Sequence, residues 1–186
     1  MEKVSTLEGF EKALFSLDSK LSGVINTKLE IRAIGGFAMM YHGIRNNGYT
    51  IDIDSLTYKF DLIVSKLIEE VGEELGLEDD WLNTDCAMLE GFMNELAQEI
   101  TWRDSKYVFK NIDLKVPDIL GLIRSKAKAI HDGGLVPRST DKKDLIDLLR
   151  NMEVNSIEEV NSNEELKFIK SKYDRCYKFL SDIECW

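Results

Sequence analysis

Apolar residues near the start of the chain recur first at helical and then at strand spacing. Intervals of three and four separate Leu7, Phe10, Leu14, Leu17 and Leu21. This period predicts an amphipathic helix, and Ser5-Thr6-Leu7-Glu8 has the spacing of a capping box at its start. From Lys28 to Ile34 the apolar residues Leu29, Ile31 and Ala33 alternate with polar ones, which predicts a strand.

A second helix and strand follow a pair of glycines. Gly35-Gly36 ends the first strand, and Phe37 to His42 forms a short apolar run that predicts a helix. Tyr49 to Asp54 alternates again and predicts the second strand. In an extended chain, Thr50, Asp52 and Asp54 would share one face, and Tyr49, Ile51 and Ile53 would share the buried face.

The remaining pattern predicts one more helix, a hairpin and a helical end. The predicted elements are a helix over Lys59–Leu75 closed by Gly76, the acidic loop LEDDWLN, a helix over Ala87–Leu96, a hairpin within Glu99–Val116, and helices beyond Pro117. We therefore expect an α+β fold: a small mixed sheet with helices packed on it. Residues 1–116 would form the α/β core, and residues 117–186 a C-terminal helical portion packed on that core.

Composition is that of a folded chain without a membrane segment. The 186 residues are 44% hydrophobic and 31% charged, and no apolar run is long enough to span a bilayer. The N-terminal residues carry charges where a secretory signal would be apolar. Cys86, Cys176 and Cys185 lack the spacing of a zinc site or a disulfide framework. We expect a cytoplasmic protein with reduced thiols and no membrane partner.

Charge is unevenly distributed along the chain. The net charge of −10 disfavours nonspecific binding to nucleic acid. Residues 115–143 carry seven bases against three acids, however, so this segment has a net charge of +4. It is either a solvated helix face or a surface that faces phosphates.

Asp52 and Asp54 raise the main chemical question. Two carboxylates one pleat apart repel each other, and a divalent cation between them would offset the repulsion. The alternative is an exposed strand end with no ligand.

This order of motifs resembles the nucleotidyltransferase superfamily related to DNA polymerase beta, in which a Gly-Gly or Gly-Ser opens a helix and a DxD lies on the next strand. The matching residues are Gly35, Gly36, Asp52 and Asp54. The chain is similar, more narrowly, to nucleotidyltransferase-like proteins related to abortive-infection toxins. The further matches are Arg45, Thr50, Trp81-Leu82-Asn83, Lys126, and Asp141 with Asp144 and Asp147.

The resemblance implies roles for individual residues. Gly35 and Gly36 would let the backbone approach a triphosphate, together with Arg45 and Thr50. Asp52 and Asp54 would bind Mg²⁺ or Mn²⁺. The family's third carboxylate would be Asp113, which alternates with Ile112 and Leu114. A tight turn, a surface arginine and a solvated aspartate are the structural alternatives.

Later residues are assigned less specifically. By resemblance, Lys126 would reach phosphates or the reacting group. Asp144 and Asp147 lie three apart on one helix face, and would orient Lys126 or hold helices together by salt bridges; the second role is favoured. We expect packing or solvent contact for His42 and His131, and an anchor for the acidic loop in Trp81.

The resulting function hypotheses belong to two classes. In the first, the protein is an enzyme that transfers a nucleoside monophosphate from an NTP, with ATP preferred, to a tRNA or a protein hydroxyl. It would then be the toxin of a toxin–antitoxin pair, with an antitoxin protein as partner. In the second, it is a non-catalytic module that keeps the nucleotidyltransferase fold to hold a nucleotide or a partner.

Overall fold

A computed structural model describes residues 5–45, 48–89, 91–133 and 138–183. The chain divides into two compact units, Met1–Asp118 and Ile119–Trp186. This boundary lies two residues after the one expected between residues 116 and 117. Within the described residues, none of the helices has the length and apolarity needed to cross a membrane.

The first unit is built around an open, mixed sheet of five strands. The strands are β1 (Leu29–Ile34), β2 (Ile53–Ser55), β3 (Leu82–Asn83), β4 (Trp102–Asp104) and β5 (Ile112–Pro117), in the order β3-β2-β1-β5-β4. The β1–β5 and β2–β3 pairs are parallel, and the β1–β2 and β4–β5 pairs are antiparallel. The expected α+β architecture with a mixed sheet and a β4–β5 hairpin is confirmed.

Side-chain caps mark the start of the two longest helices of the first unit. They are α1 (Leu7–Lys20), α2 (Gly35–Tyr41), α3 (Leu62–Leu75), a 3₁₀ turn (Asp85–Met88), a π-helical turn (Phe92–Leu96) and α4 (Ala97–Glu99). The N-cap of α1 is Thr6, which accepts a hydrogen bond from the Gly9 N–H, rather than the Ser5 of the expected capping box. Asp61 caps α3, and Gly76 ends it with φ of 70°.

Apolar side chains of β1, β2 and β5 form the core together with α1, α2 and α3. Ile31, Ala33 and Ile53 are fully buried there. Trp81 is fully buried as well, stacks on Phe10 with ring centroids 6.3 Å apart, and donates its indole N–H to the Ile68 carbonyl at 2.8 Å. Trp81 therefore anchors the acidic loop to the core, as expected.

The second strand is shorter than predicted and begins later. Tyr49 and Ile51 are exposed, so of the three apolar residues predicted to face the core only Ile53 does so. The reason is the length of the partner strand: Ile34, the last residue of β1, lies opposite Asp54. Residues 49–52 therefore extend past the end of β1 and have no β1 residue to pair with.

The second unit is entirely helical in the residues that the structure describes. It contains α5 (Ile119–Asp132), α6 (Ser139–Asn151), α7 (Ile157–Ser162), a 3₁₀ turn (Glu164–Leu166), α8 (Lys167–Lys172) and α9 (Asp174–Ser181). The helices expected beyond Pro117 are confirmed, and α8 is separated from α9 at Tyr173, which has non-helical φ and ψ.

Candidate functional site

Gly35 lies at the turn from β1 into α2, directly against the carboxylate of Asp54. Its φ is +65°, in the left-handed region that favours glycine. A Cβ at this position would lie 2.5 Å from Asp54 Oδ2. Because this distance is far below van der Waals contact, only a residue without a side chain lets the carboxylate approach the turn so closely.

Gly36 lies against two more of the predicted site residues. A Cβ here would be 2.5 Å from Thr50 Oγ1 and 2.9 Å from Arg45 Nη1. Gly36, Thr50 and Arg45 are all partly exposed. The turn after β1 thus gathers a hydroxyl, a guanidinium and a carboxylate around two glycine backbones, in a place that solvent reaches.

Packing on both sides holds this turn in position. Helix α2 buries Phe37, Ala38, Met39 and Met40, so its apolar face ties the glycines to the core. Thr50 exchanges two backbone hydrogen bonds with Ser5, at 2.8 and 3.2 Å. His42 Nε2 lies 2.7 Å from the Pro117 carbonyl, which agrees with a packing role for this histidine.

Asp52 is held by a residue for which no individual role was predicted. The Asn83 side-chain amide donates to Asp52 Oδ2 at 3.0 Å, and Asn83 Oδ1 accepts from the Asp85 N–H at 3.0 Å. Asn83 lies on β3, beside Asp54 in the parallel pair. The sequence signal for Asn83 was the Trp81-Leu82-Asn83 triplet, which was part of the family resemblance but implied no role for Asn83 itself.

Cys86 lies in the 3₁₀ turn after Asn83, within electrostatic reach of Asp54 and Asp52. Its thiol donates a long hydrogen bond of 3.5 Å to the Ser55 carbonyl. Burial raises the pKa of the Cys86 thiol, and the negative charges of Asp54 and, to a lesser extent, Asp52 raise this pKa further. The thiol is therefore protonated at neutral pH, and it is not an activated nucleophile.

Asp113 is not brought to this pair of carboxylates. It lies opposite Glu30 on β1, whereas Asp54 lies opposite Ile34, four residues further along the same strand. At about 3.3 Å per residue, this places their registers about 13 Å apart. Asp113 Oδ2 instead lies 3.4 Å from Lys115 Nζ. The expected third carboxylate of the site is thus displaced along the sheet.

Lys126 lies in the second unit, within a buried ion cluster. Its ammonium nitrogen is 2.7 Å from Asp141 Oδ1 and 2.7 Å from Asp144 Oδ2, and all three side chains are less than a tenth exposed. Asp147, the expected second partner, lies instead 3.8 Å from Arg150 Nη1. The cluster joins α5 to α6, as the structural alternative predicted for Asp144.

Other bases of the +4 segment also have partners inside the chain. Lys128 pairs with Asp132 at 2.8 Å, Arg138 pairs with Asp141 at 3.1 Å, and the Arg124 guanidinium carbon lies 3.8 Å from the centroid of the Phe168 ring. Much of the positive charge seen in the sequence is thus compensated within the fold, which weakens the interpretation as a phosphate-facing surface.

The candidate site contains two carboxylates that could bind a metal ion. Over residues 5–45, 48–89, 91–133 and 138–183, no group of three or more His, Cys, Asp or Glu side chains is arranged to hold one. Mg²⁺ in nucleotide sites is commonly bound by one or two carboxylates together with phosphate oxygens. Asp52 and Asp54 are partly exposed oxygen donors on β2 and its approach, so these residues fit a Mg²⁺ ion that arrives with a nucleotide.

Comparisons with known proteins do not assign the chain to a family. No protein-family model, no curated protein and no solved structure matches it.

Proposed function

We propose that the protein is a Mg²⁺- or Mn²⁺-dependent nucleotidyltransferase. It would transfer a nucleoside monophosphate from an NTP, with ATP preferred, to an acceptor hydroxyl and release pyrophosphate. The observation that supports this proposal is the convergence of Asp54, Thr50 and Arg45 on the Gly35-Gly36 turn. These residues are separated in sequence and were expected to act together on a nucleotide.

The glycine turn would bind the triphosphate. The absence of a Cβ at Gly36 lets the Thr50 hydroxyl and the Arg45 guanidinium lie against its backbone, and these two side chains would contact the phosphate oxygens. A guanidinium binds phosphate in a bidentate manner, which fixes orientation as well as charge.

Asp52 and Asp54 would hold the metal ion. When bound, the ion would neutralise the charge that builds up on the phosphates. Asn83 keeps one oxygen of Asp52 in place through its amide hydrogen bond, so Asn83 acts as a positioning residue. The acceptor would be a tRNA or a protein hydroxyl, and the protein would serve as the toxin of a toxin–antitoxin pair.

Binding and transfer can be tested with the purified chain. We expect titration calorimetry to detect ATP binding in the presence of Mn²⁺, and radiolabelled ATP to give labelled acceptor or pyrophosphate. Asp52→Asn and Asp54→Asn should abolish turnover, whereas Asp104→Asn, an exposed aspartate on β4, should behave as wild type. Wild-type protein that neither binds nor turns over any of the four NTPs would refute the proposal.

A second candidate is a non-catalytic nucleotide-binding module. The observation that favours it is the displacement of Asp113, because two-metal transfer commonly uses a third carboxylate. The module would bind ATP with Mn²⁺ in calorimetry and show no pyrophosphate release with any acceptor fraction. Asp113→Asn is expected to leave nucleotide binding unchanged under either candidate, because Asp113 lies away from the pair.

A further inference from the structure

The net negative charge of the chain lies entirely in the unit that contains the candidate site. Residues 1–118 contain 22 Asp and Glu against 12 Lys and Arg, so they carry the entire net charge of −10, and the second unit is neutral. Within the first unit, residues 67–102 contain eleven acids and no Lys or Arg. This stretch includes β3, the 3₁₀ turn Asp85–Met88 and the π-helical turn.

Two adjacent large apolar side chains are exposed in the same stretch. Met88 is 78% exposed and Leu89 is 56% exposed. Their neighbours Cys86 and Ala87 pack on a second small core formed with Leu56, Phe92 and Leu96. Met88 and Leu89 therefore belong to a segment that is held in place by the packing of its neighbouring side chains.

Backbone hydrogen bonds fix this segment as well. The Ala87 N–H donates to Thr84 O at 3.0 Å, and the Leu89 N–H donates to Cys86 O at 3.2 Å. Asp85 joins the segment to the candidate site, because its N–H donates to Asn83, which in turn donates to Asp52. The segment that carries Met88 and Leu89 is therefore connected to Asp52 through Asn83.

We propose that Met88 and Leu89, within an acidic stretch that also exposes Asp79, Asp80, Asp85 and Glu95, form a docking surface for a basic, amphipathic protein segment. The apolar side chains of such a partner would cover Met88 and Leu89, and its lysines or arginines would face the acids. Met88 suits this role because an unbranched thioether adapts to varied apolar partners. An acidic partner or a nucleic acid would meet only repulsion here.

A peptide probe tests the surface without any nucleotide, so the outcome is independent of the proposed enzymatic function. The probe is a fluorescent amphipathic peptide with one leucine face and one lysine face, roughly four helical turns long. Two control peptides carry glutamate in place of lysine or serine in place of leucine. Fluorescence anisotropy at physiological ionic strength should show binding of the Lys/Leu peptide and at least about tenfold weaker binding of both controls.

Matched variants of the chain locate the binding surface. Met88→Ser/Leu89→Ser should weaken binding by about tenfold or more. The control is Leu62→Ser/Ile63→Ser on α3, whose side chains are 72% and 58% exposed, and it should bind within about twofold of wild type. Asp85→Lys/Glu95→Lys should also weaken binding, and Glu158→Lys/Glu165→Lys in the second unit should not.

Three results would overturn the proposal. One is unchanged binding by Met88→Ser/Leu89→Ser, and another is an equal loss in Leu62→Ser/Ile63→Ser. The third result would come from sedimentation. If the wild-type chain were a dimer and Met88→Ser/Leu89→Ser a monomer, the surface would bind a second copy of the chain and not a basic segment. All four double variants replace exposed side chains only, and circular dichroism should confirm that they remain folded.

Discussion

The glycine turn of the first unit and the Lys126 cluster of the second unit both gather charged side chains, but in opposite environments. Around Gly35 and Gly36 the charged groups are partly exposed and lie against backbone that lacks a Cβ. Lys126, in contrast, is buried between Asp141 and Asp144, with both nitrogen-to-oxygen distances at 2.7 Å. Both regions contain residues that the sequence assigned to the same reaction.

The two regions differ in how strongly burial commits their charged side chains to partners within the fold. An ammonium held by two buried carboxylates cannot leave them without exposing uncompensated charge to a low dielectric. Asp52 and Asp54 are partly exposed, so a change of partner at these carboxylates costs much less desolvation. Burial, which a single sequence shows poorly, thus decides between a structural and a chemical role for the same residue types.

The largest effect is expected in the buried cluster. Lys126→Met would leave Asp141 and Asp144 without their shared cation, and we expect a loss of about 3–5 kcal/mol in the free energy of unfolding. Urea denaturation followed by circular dichroism measures this loss. Lys143→Met, an exposed lysine on α6, is the control and should change the free energy by less than about 0.5 kcal/mol.

A triple variant distinguishes lost pairing from lost packing. Lys126→Met/Asp141→Leu/Asp144→Leu removes all three charges, so most of the stability lost in Lys126→Met should return. If Lys126→Met were as stable as Lys143→Met, the cluster would not hold α5 and α6 together, and Lys126 would again be a candidate for chemistry.

A smaller effect is expected at the glycine turn. Gly35 and Gly23 have similar φ values of +65° and +77°, but a Cβ at Gly23 would meet nothing within 4 Å. Gly23→Ala therefore measures the backbone cost alone, about 1 kcal/mol. Gly35→Ala adds the collision with Asp54, and we expect a total of about 2–3 kcal/mol in urea unfolding.

Removal of Asp54 should eliminate the difference between these two glycines. In an Asp54→Ala background the remaining Cβ of residue 54 lies 3.7 Å from the Cβ position of Gly35, which is ordinary contact. The cost of Gly35→Ala should then fall to that of Gly23→Ala. An unchanged difference would show that Asp54 does not press on the turn.

Much of the fold could be predicted because its signals are local. The period of Leu7 to Leu21, the alternation in β1 and the glycine after α3 are each contained within one element. The extent of β2 was not predictable in this way, because it depends on where β1 ends, and β1 is a separate stretch of chain. Tyr49 and Ile51 followed the strand pattern and still lie outside the core.

The residues of the candidate site show the same contrast between local signals and distant contacts. Gly35, Gly36 and Asp54 were identified by short motifs and do come together. Asn83 was missed because its contact with Asp52 crosses 31 residues, and an asparagine carries no signal of its own. The choice of Asp141 over Asp147 as a partner of Lys126 depends on how α5 and α6 pack, which helical spacing alone leaves open.

The smallest effect concerns the Cys86 thiol, whose pKa is raised first by burial and then by the negative charge of Asp54. A raised pKa favours the protonated thiol in the folded state, so it contributes stability below the pKa of the unfolded thiol that is lost as pH rises above that value. At pH 8 native Cys86 should react with iodoacetamide at least about tenfold more slowly than in the urea-unfolded chain. Peptide mass spectrometry measures both rates.

Cys176 supplies an internal control for the charge of Asp54. Burial alone raises the pKa of Cys176 to about 12, with no carboxylate among the causes. Asp54→Asn should therefore accelerate alkylation of native Cys86 by a few fold, because one negative charge is removed, and leave the rate at Cys176 unchanged. Equal acceleration at both cysteines would indicate general loosening of the fold. No acceleration at either would mean that Asp54 lies too far from Cys86 to act on it, contrary to the geometry of the site.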